Sequence, residues 1–180
     1  MRKTISQFTM LMLVATMALM APAFGRGNSK GKPRTLETEV RHELIMLPYY
    51  GVFDYLQFKV DGAKVTLLGY ARRPSLKSDA AAAVKGIEGV ESVDNQIRVL
   101  PLSPFDDQIR AAAYRAVYGN QNFWNYAIMA VPSIHIIVDN GKVTLEGVVG
   151  SELDKNLAFS QVSGIPGTFS VTNNLKVVKG

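Results

Sequence analysis

Two histidines, His42 and His135, are the only imidazoles in this 180-residue chain, which has no cysteine. A metal site or an acid–base centre built on them needs a carboxylate or a second histidine at ligand spacing, and neither has one. His42 falls on the polar side of a helical pattern. His135 alternates with Ile134 and Ile136 as in a strand, and both histidines read as structural residues. Two Gly-x-x-Gly stretches, Gly86 to Gly89 and Gly164 to Gly167, resemble the start of a phosphate cradle or an RNA clamp. Their position between a helical pattern and a final strand pattern fits a turn better. No nucleophile elbow, phosphate loop or paired-carboxylate signature is present. The chain therefore reads as non-enzymatic, with no catalytic residue, metal, cofactor or small-molecule substrate expected.

The chemistry that remains is that of rings. "PYYGVFDYLQF" carries Tyr49, Tyr50, Phe53, Tyr55 and Phe58. "GNQNFWNYAIMAVPS" carries Phe123, Trp124, Tyr126 and Met129, including the chain's single tryptophan. Trp and Tyr combine an apolar body with a polar tip, which suits membrane interfaces and binding surfaces. Phe123, Trp124, Tyr126, Met129, Tyr49, Tyr50 and Phe53 are thus candidates for a hydrophobic or lipid contact. The alternative is that these rings roof small cores or join two halves of the molecule.

Two halves are written into the chain. "DGAKVTLLG" at 61–69 returns as "DNGKVTLEG" at 139–147, and a shift of 78 residues aligns 60–100 with 138–178 without a gap, 17 of 41 positions being identical. Asn140-Gly141 is a hairpin turn signal, because both residues tolerate positive φ; Asp61-Gly62-Ala63 takes that place in the first copy. Leu56, Phe58 and Val60 precede the first turn and Val65 and Leu67 follow it. The second copy matches them with Ile134, Ile136, Val138, Val143 and Leu145, all at period two. Gly69 and Gly147 close each hairpin. Helical spacing follows: Pro74, Leu76, Ala80, Val84 and Ile87, with Gly86 as a stop, and then Ser151 and Asp154 as a cap before Leu153, Leu157, Ala158 and Val162. A last strand runs through Val93, Ile97 and Val99, or Val171, Leu175 and Val177. A helix precedes each hairpin, with Leu36, Val40, Leu44 and Leu47 in one stripe, and Ser103-Pro104-Phe105-Asp106 opening the other. The expected fold is α+β: two tandem α-β-β-α-β units, 35–100 and 103–179, each a three-stranded sheet with two helices on one face. Cores of this size are marginal alone, and the short Leu100–Ser103 link predicts that the units pack together.

Charge and the N-terminus limit the partners. The formal charge is +5. Arg2 and Lys3 account for two of these charges, and Arg26, Lys30, Lys32 and Arg34 for four more, leaving the rest of the chain near −1. Nucleic-acid binding needs positive charge on a folded face, so none is expected. Arg2 and Lys3, the apolar run from Phe8 to Met20 and Ala21-Pro22-Ala23 read as a secretory signal (1–23) cleaved near Ala23, followed by a basic flexible tail (24–34). The expected location is the periplasm or the exterior. Without cysteine, the protein is not expected to be a lipoprotein.

The phrase "IHIIVDNGKVTLEGVV" with "SGIPGTFSVTNNLKVV", and its partner "LQFKVDGAKVTLLGYA" with "KGIEGVESVDNQIRVL", resembles the BON domain (bacterial OsmY and nodulation) over about residues 35–179. The resemblance implies an exported or envelope-associated protein linked to osmotic stress, phospholipid binding or chaperone-like roles. It makes a peripheral, reversible contact with phospholipid surfaces, or a contact with unfolded or envelope proteins, the leading expectation. The alternative is a structural module that self-associates or docks to an envelope machine.

Overall fold

The computed structural model describes residues 35–129 and 131–178. The expected signal and basic tail lie outside them. In chain order the elements are α1 (Leu36–Ile45), β1 (Tyr55–Asp61), β2 (Lys64–Ala71), α2 (Pro74–Lys85), β3 (Ser92–Asn95) and β4 (Arg98–Val99). The second repeat continues with α3 (Pro104–Tyr118), a 3-10 turn (Gln121–Phe123), α4 (Trp124–Ala127), β5 (Ile134–Asp139), β6 (Lys142–Val149), α5 (Glu152–Ser163), β7 (Ser170–Asn173) and β8 (Lys176–Val177). Both repeats belong to one compact unit.

The helices begin where side chains satisfy their free amides. The Thr35, Ser103 and Ser151 side chains accept from the amides of Thr38, Asp106 and Asp154, and Pro74 and Pro104 occupy the first turn, where no N–H is needed. Val40, Leu44, Leu76, Ala80 and Val84 meet Val65, Leu67 and Ile97 in the first core. Ile109, Ala113, Val117, Ala158 and Val162 meet the inner face of β5 and β6 in the second. Leu153, expected on the apolar stripe of α5, instead lies three-quarters exposed in its first turn.

In each sheet the middle strand pairs antiparallel with one neighbour and parallel with the other. The expected third strand is two short segments, β3 and β4 or β7 and β8, both paired to the central strand. Asn95 and Asn173, identical in the two copies, sit at the break. Asn95 Nδ2 donates to the Lys77 carbonyl at 2.7 Å, while its Oδ1 accepts from Ile97 N at 3.2 Å. Asn173 repeats this with Lys155 and Leu175. The amide side chain ties the strand break to the helix above it.

The hairpin turns carry the positive φ that the sequence requires: 57° at Gly62, 52° at Asn140 and 74° at Gly141. Gly69 and Gly147 do a different job. At φ 109° and 115° each passes close under the neighbouring strand, against the carbonyls of Tyr55 and Ser133. The Gly-x-x-Gly stretches are turns, with Gly86 and Gly164 capping helices and Gly89 and Gly167 at positive φ.

Candidate functional site

The aromatic segment 49–54 follows α1 and leads into β1, yet it serves the other repeat. Val52 and Phe53 pack against the second core, and the Val52 carbonyl accepts from the Ile136 amide at 2.7 Å. The Tyr50 ring stacks on His135 at 5.7 Å and 15°, and Tyr55 approaches the same imidazole at 5.2 Å. Phe53 meets Tyr114 of α3 at 6.2 Å. β5 is consequently buried on both faces, the alternate residues His135 and Ile137 included. The stretch reads as a period-two strand; Ile137, apolar on the face opposite Ile136, is the sequence signal for burial on both faces.

The segment is held by a buried carboxylate. Asp54 accepts from the Gly51 amide at 3.2 Å and the Arg72 amide at 2.6 Å. Burial pushes its carboxyl above the ordinary 3.8, against the pull of those two amides. Burial likewise pushes the Tyr50 hydroxyl up to about 12, and that hydroxyl accepts from the Leu56 amide. Ion pairs fasten the rim. Asp107 Oδ1 receives Arg72 from the first repeat at 3.2 Å and Arg110 from its own helix at 2.8 Å, and Arg98 pairs with Asp139.

His135 is held below its ordinary 6.5 by burial, with main-chain groups of Asp54 and Gly51 pulling the other way. The folded chain thus favours the neutral ring, and the unfolded chain binds more protons as pH falls through 6.5. The stability this contributes is full above that value and is lost as pH drops toward the folded pKa. The urea midpoint of the protein is expected to fall between about pH 7 and pH 5. His135→Gln should flatten that fall, and an unchanged slope would show that this ring does not carry it. Asp54, shifted with the opposite sign, remains in both proteins and cancels in the comparison.

The candidate rings divide sharply. Phe123 is fully buried in the second core, a correction to its reading as a contact residue: the 3-10 turn that Asn120 caps rolls it inward. Tyr50 and Phe53 are seam residues. Tyr126 is fixed at its hydroxyl, which donates to Asp154 at 2.7 Å and accepts from the Gly150 amide at 2.9 Å. Trp124 and Met129 are 68% and 57% exposed, with Ile128 beside them at 66%. Tyr49, at φ 65°, is exposed on the first repeat with the Arg73 guanidinium 4.8 Å over its ring.

Between the repeats runs a groove of about 780 Å³. One wall is α1, with Arg41, Leu44 and Ile45. Tyr55, Leu56, Gln57 and Phe58 of β1 line it in succession. The other wall comes from the second repeat, with Met129, Val131, Pro132 and Val148. Arg41 lies 5.5 Å over the Phe58 ring. The packing of the repeats, and the alternative that rings such as Tyr50 and Phe53 join them, were read from the sequence; the groove and the clasp on His135 were not.

Sequence reasoning also missed Asp106 and Arg110, which look like surface helix residues. Asp106 is fully buried, and its carboxylate accepts from the Asn140 and Gly141 amides at 3.0 and 2.8 Å, capping the β5–β6 hairpin. Arg110 donates to the Val138 carbonyl at 2.6 Å.

Duplicated α-β-β-α-β layers, joined by packed rings and the main-chain bond between Val52 and Ile136 with a groove along the seam, define a tandem α+β repeat protein. The chain belongs to the BON domain family, whose model matches residues 34–101 and 106–179. It is similar to the osmotically-inducible protein Y of Escherichia coli (strain K12), 30% identical over 124 residues, covering 67% of this chain and 61% of that protein. The chain thus spans less than two thirds of the length of that relative. Among solved structures it is similar to CdsD, a structural protein of the type III secretion system of Chlamydia trachomatis, at 14% identity over 81% of this chain and 93% of that one, with a TM-score of 0.29. The C-terminal domain of CdsD gives 14% identity over 82% and 100%, with a TM-score of 0.30.

Proposed function

We propose that this chain is a non-enzymatic envelope-stress protein, exported to the periplasm or beyond, that makes peripheral and reversible contact with phospholipid surfaces through Trp124, Ile128 and Met129. The observation that carries this reading is the exposure of those three side chains in a stretch, 119–133, that contains no charged residue. Trp124 and Ile128 are four residues apart across the short α4, which suits a shared face. The stress role is supported by family membership and by the similarity to an osmotically-inducible protein.

Burying three such side chains contributes about 4.5–9 kcal/mol before the costs of ordering, at ~1.5–3 kcal/mol each. What remains is comparable to one acyl chain, which binds and releases. Co-sedimentation with vesicles of phosphatidylethanolamine and phosphatidylglycerol tests the reading. The double variant Trp124→Ser/Met129→Ser is expected to lose at least about fivefold in bound fraction, since each tenfold is ~1.4 kcal/mol. Equal binding by both proteins, or none by either, would sink it. The sole tryptophan reports the same event, its emission moving to the blue on insertion.

A further inference from the structure

In each sheet the first strand, β1 or β5, is outermost, with no further strand paired to it, and the two outer edges are treated differently. The outer edge of β5 is filled from within the chain. The Ile134 carbonyl accepts from the Tyr118 hydroxyl, the Ile136 amide donates to Val52, and the Val138 carbonyl accepts from Arg110. On β1 the matching positions are Leu56, Phe58 and Val60, by the same pairing of Leu56 with Gly69 and Ile134 with Gly147. Leu56 N donates outward to Tyr50 Oη. Alternate residues of a strand point their amides the same way, so Phe58 and Val60 also face outward. Among the described residues no hydrogen bond reaches those two amides, or the outward carbonyls of Leu56, Phe58 and Val60.

An open edge is a template for another strand. Here its first four residues, Tyr55 to Phe58, line the inter-repeat groove, which α1 borders together with the second repeat, and Val60 continues the same edge beyond that lining. Walls on both sides admit one extended chain and exclude the edge of a second folded sheet. The four groove-lining residues of β1 span about 13 Å at ~3.3 Å per residue, the length of a four- to five-residue strand. Ile45, Met129 and Val148, all exposed, give the groove walls apolar side chains. The charges on the lining are Arg41 and Lys176 against Glu37, a balance that favours an acidic segment. The chain supplies its own precedent, since Val52 lays a main-chain carbonyl on the equivalent edge of β5.

We propose that the edge of β1 and the groove beside it bind an extended polypeptide segment of alternating apolar and polar residues with acidic flanks, which adds as a further strand to the first sheet. The occupant is an unpaired strand of another, incompletely folded protein. Recognition is by main-chain hydrogen bonds at Phe58 and Val60, with apolar side chains seated against the groove walls. This site shares only Met129 with the proposed lipid surface, and its main-chain contacts on β1 do not depend on lipid.

The probe is an eight-residue peptide of alternating valine and threonine with a glutamate at each end, compared with the same peptide N-methylated at alternate amides. N-methylation removes one edge of main-chain donors and keeps the side chains. Amide exchange of the protein is followed by NMR. The unmethylated peptide is expected to bind, to slow exchange at the Phe58 and Val60 amides at least tenfold, and to lose at least tenfold in affinity on N-methylation. Ile45→Glu, at an exposed wall position, is expected to weaken it similarly while leaving the fold intact. Equal binding of both peptides, protection elsewhere, or no binding overturns the proposal. A concentration-dependent dimer that protects Phe58 without peptide overturns it in favour of a second copy of this chain.

Discussion

Gly147→Ala is expected to unfold most of the second repeat. Two penalties fall on the same atom. At φ 115° any Cβ is strained, and here it would also be driven into the Ser133 carbonyl oxygen on the paired strand. That oxygen is main chain, held in the ladder by Val148 N at 3.0 Å, so it has nowhere to go. Left-handed strain alone costs about 1–2 kcal/mol. With a backbone collision added, a loss of about 4 kcal/mol or more is expected, a large share of the 5–15 kcal/mol typical of a whole domain. Gly69→Ala, against the Tyr55 carbonyl, should do the same to the first repeat. Gly62→Ala is the control, with positive φ but open space, and should cost only about 1 kcal/mol. Thermal melts followed by circular dichroism measure all three. A Gly147→Ala protein melting within about 2 °C of the parent would refute the account.

Asp106→Ala carries the second largest effect. Among the described residues the carboxylate is the only hydrogen-bond partner of the Asn140 amide and of the buried Gly141 amide, at 3.0 and 2.8 Å. Its removal leaves two main-chain donors without acceptors, at about 1–3 kcal/mol each. A total near 3 kcal/mol lowers the melting temperature by about 10–20 °C for a unit this size. Asp106→Asn keeps one acceptor oxygen and should fall between alanine and the parent. Hydrogen exchange locates the damage, since the Asn140 and Gly141 amides should lose protection while the matching turn at Asp61-Gly62, which no helix carboxylate caps among the described residues, stays as it was. Unchanged protection at Gly141 would mean that the cap contributes nothing.

These two results bear on why some of the molecule could be read in the sequence and some could not. Period, caps and turns act locally, so the duplicated phrase, the helix starts at Ser103 and Ser151 and the Asn140-Gly141 turn were legible. Gly69 and Gly147 were visible as a repeated sign, while their reason, a carbonyl on the next strand, was not. Phe123 and Trp124 are neighbours of similar character, yet one is sealed in a core and the other faces out. A single 3-10 turn sets which is which, and its register leaves no periodic trace. Asp106 and Arg110 look like ordinary helix surface because their partners lie about 30 residues away on β5 and its turn. His135 was read as a structural residue, but the two tyrosines of the other repeat that clasp it could not be read from its own strand. The groove is legible in neither copy, because it exists only between them.

The loan of residues 49–54 from one repeat to the other has an evolutionary corollary. Copies of a duplicated segment begin as equals, and at that stage either could be deleted or exchanged. Once Val52 seals a neighbour's strand and Tyr50 roofs its histidine, lender and borrower can no longer trade places. A chimera carrying the later copy in both positions would have no lender, and its downstream half would stand with a bare strand and an uncovered imidazole. Descendants of this duplication are therefore held to the pair, in this order, as a single inherited part.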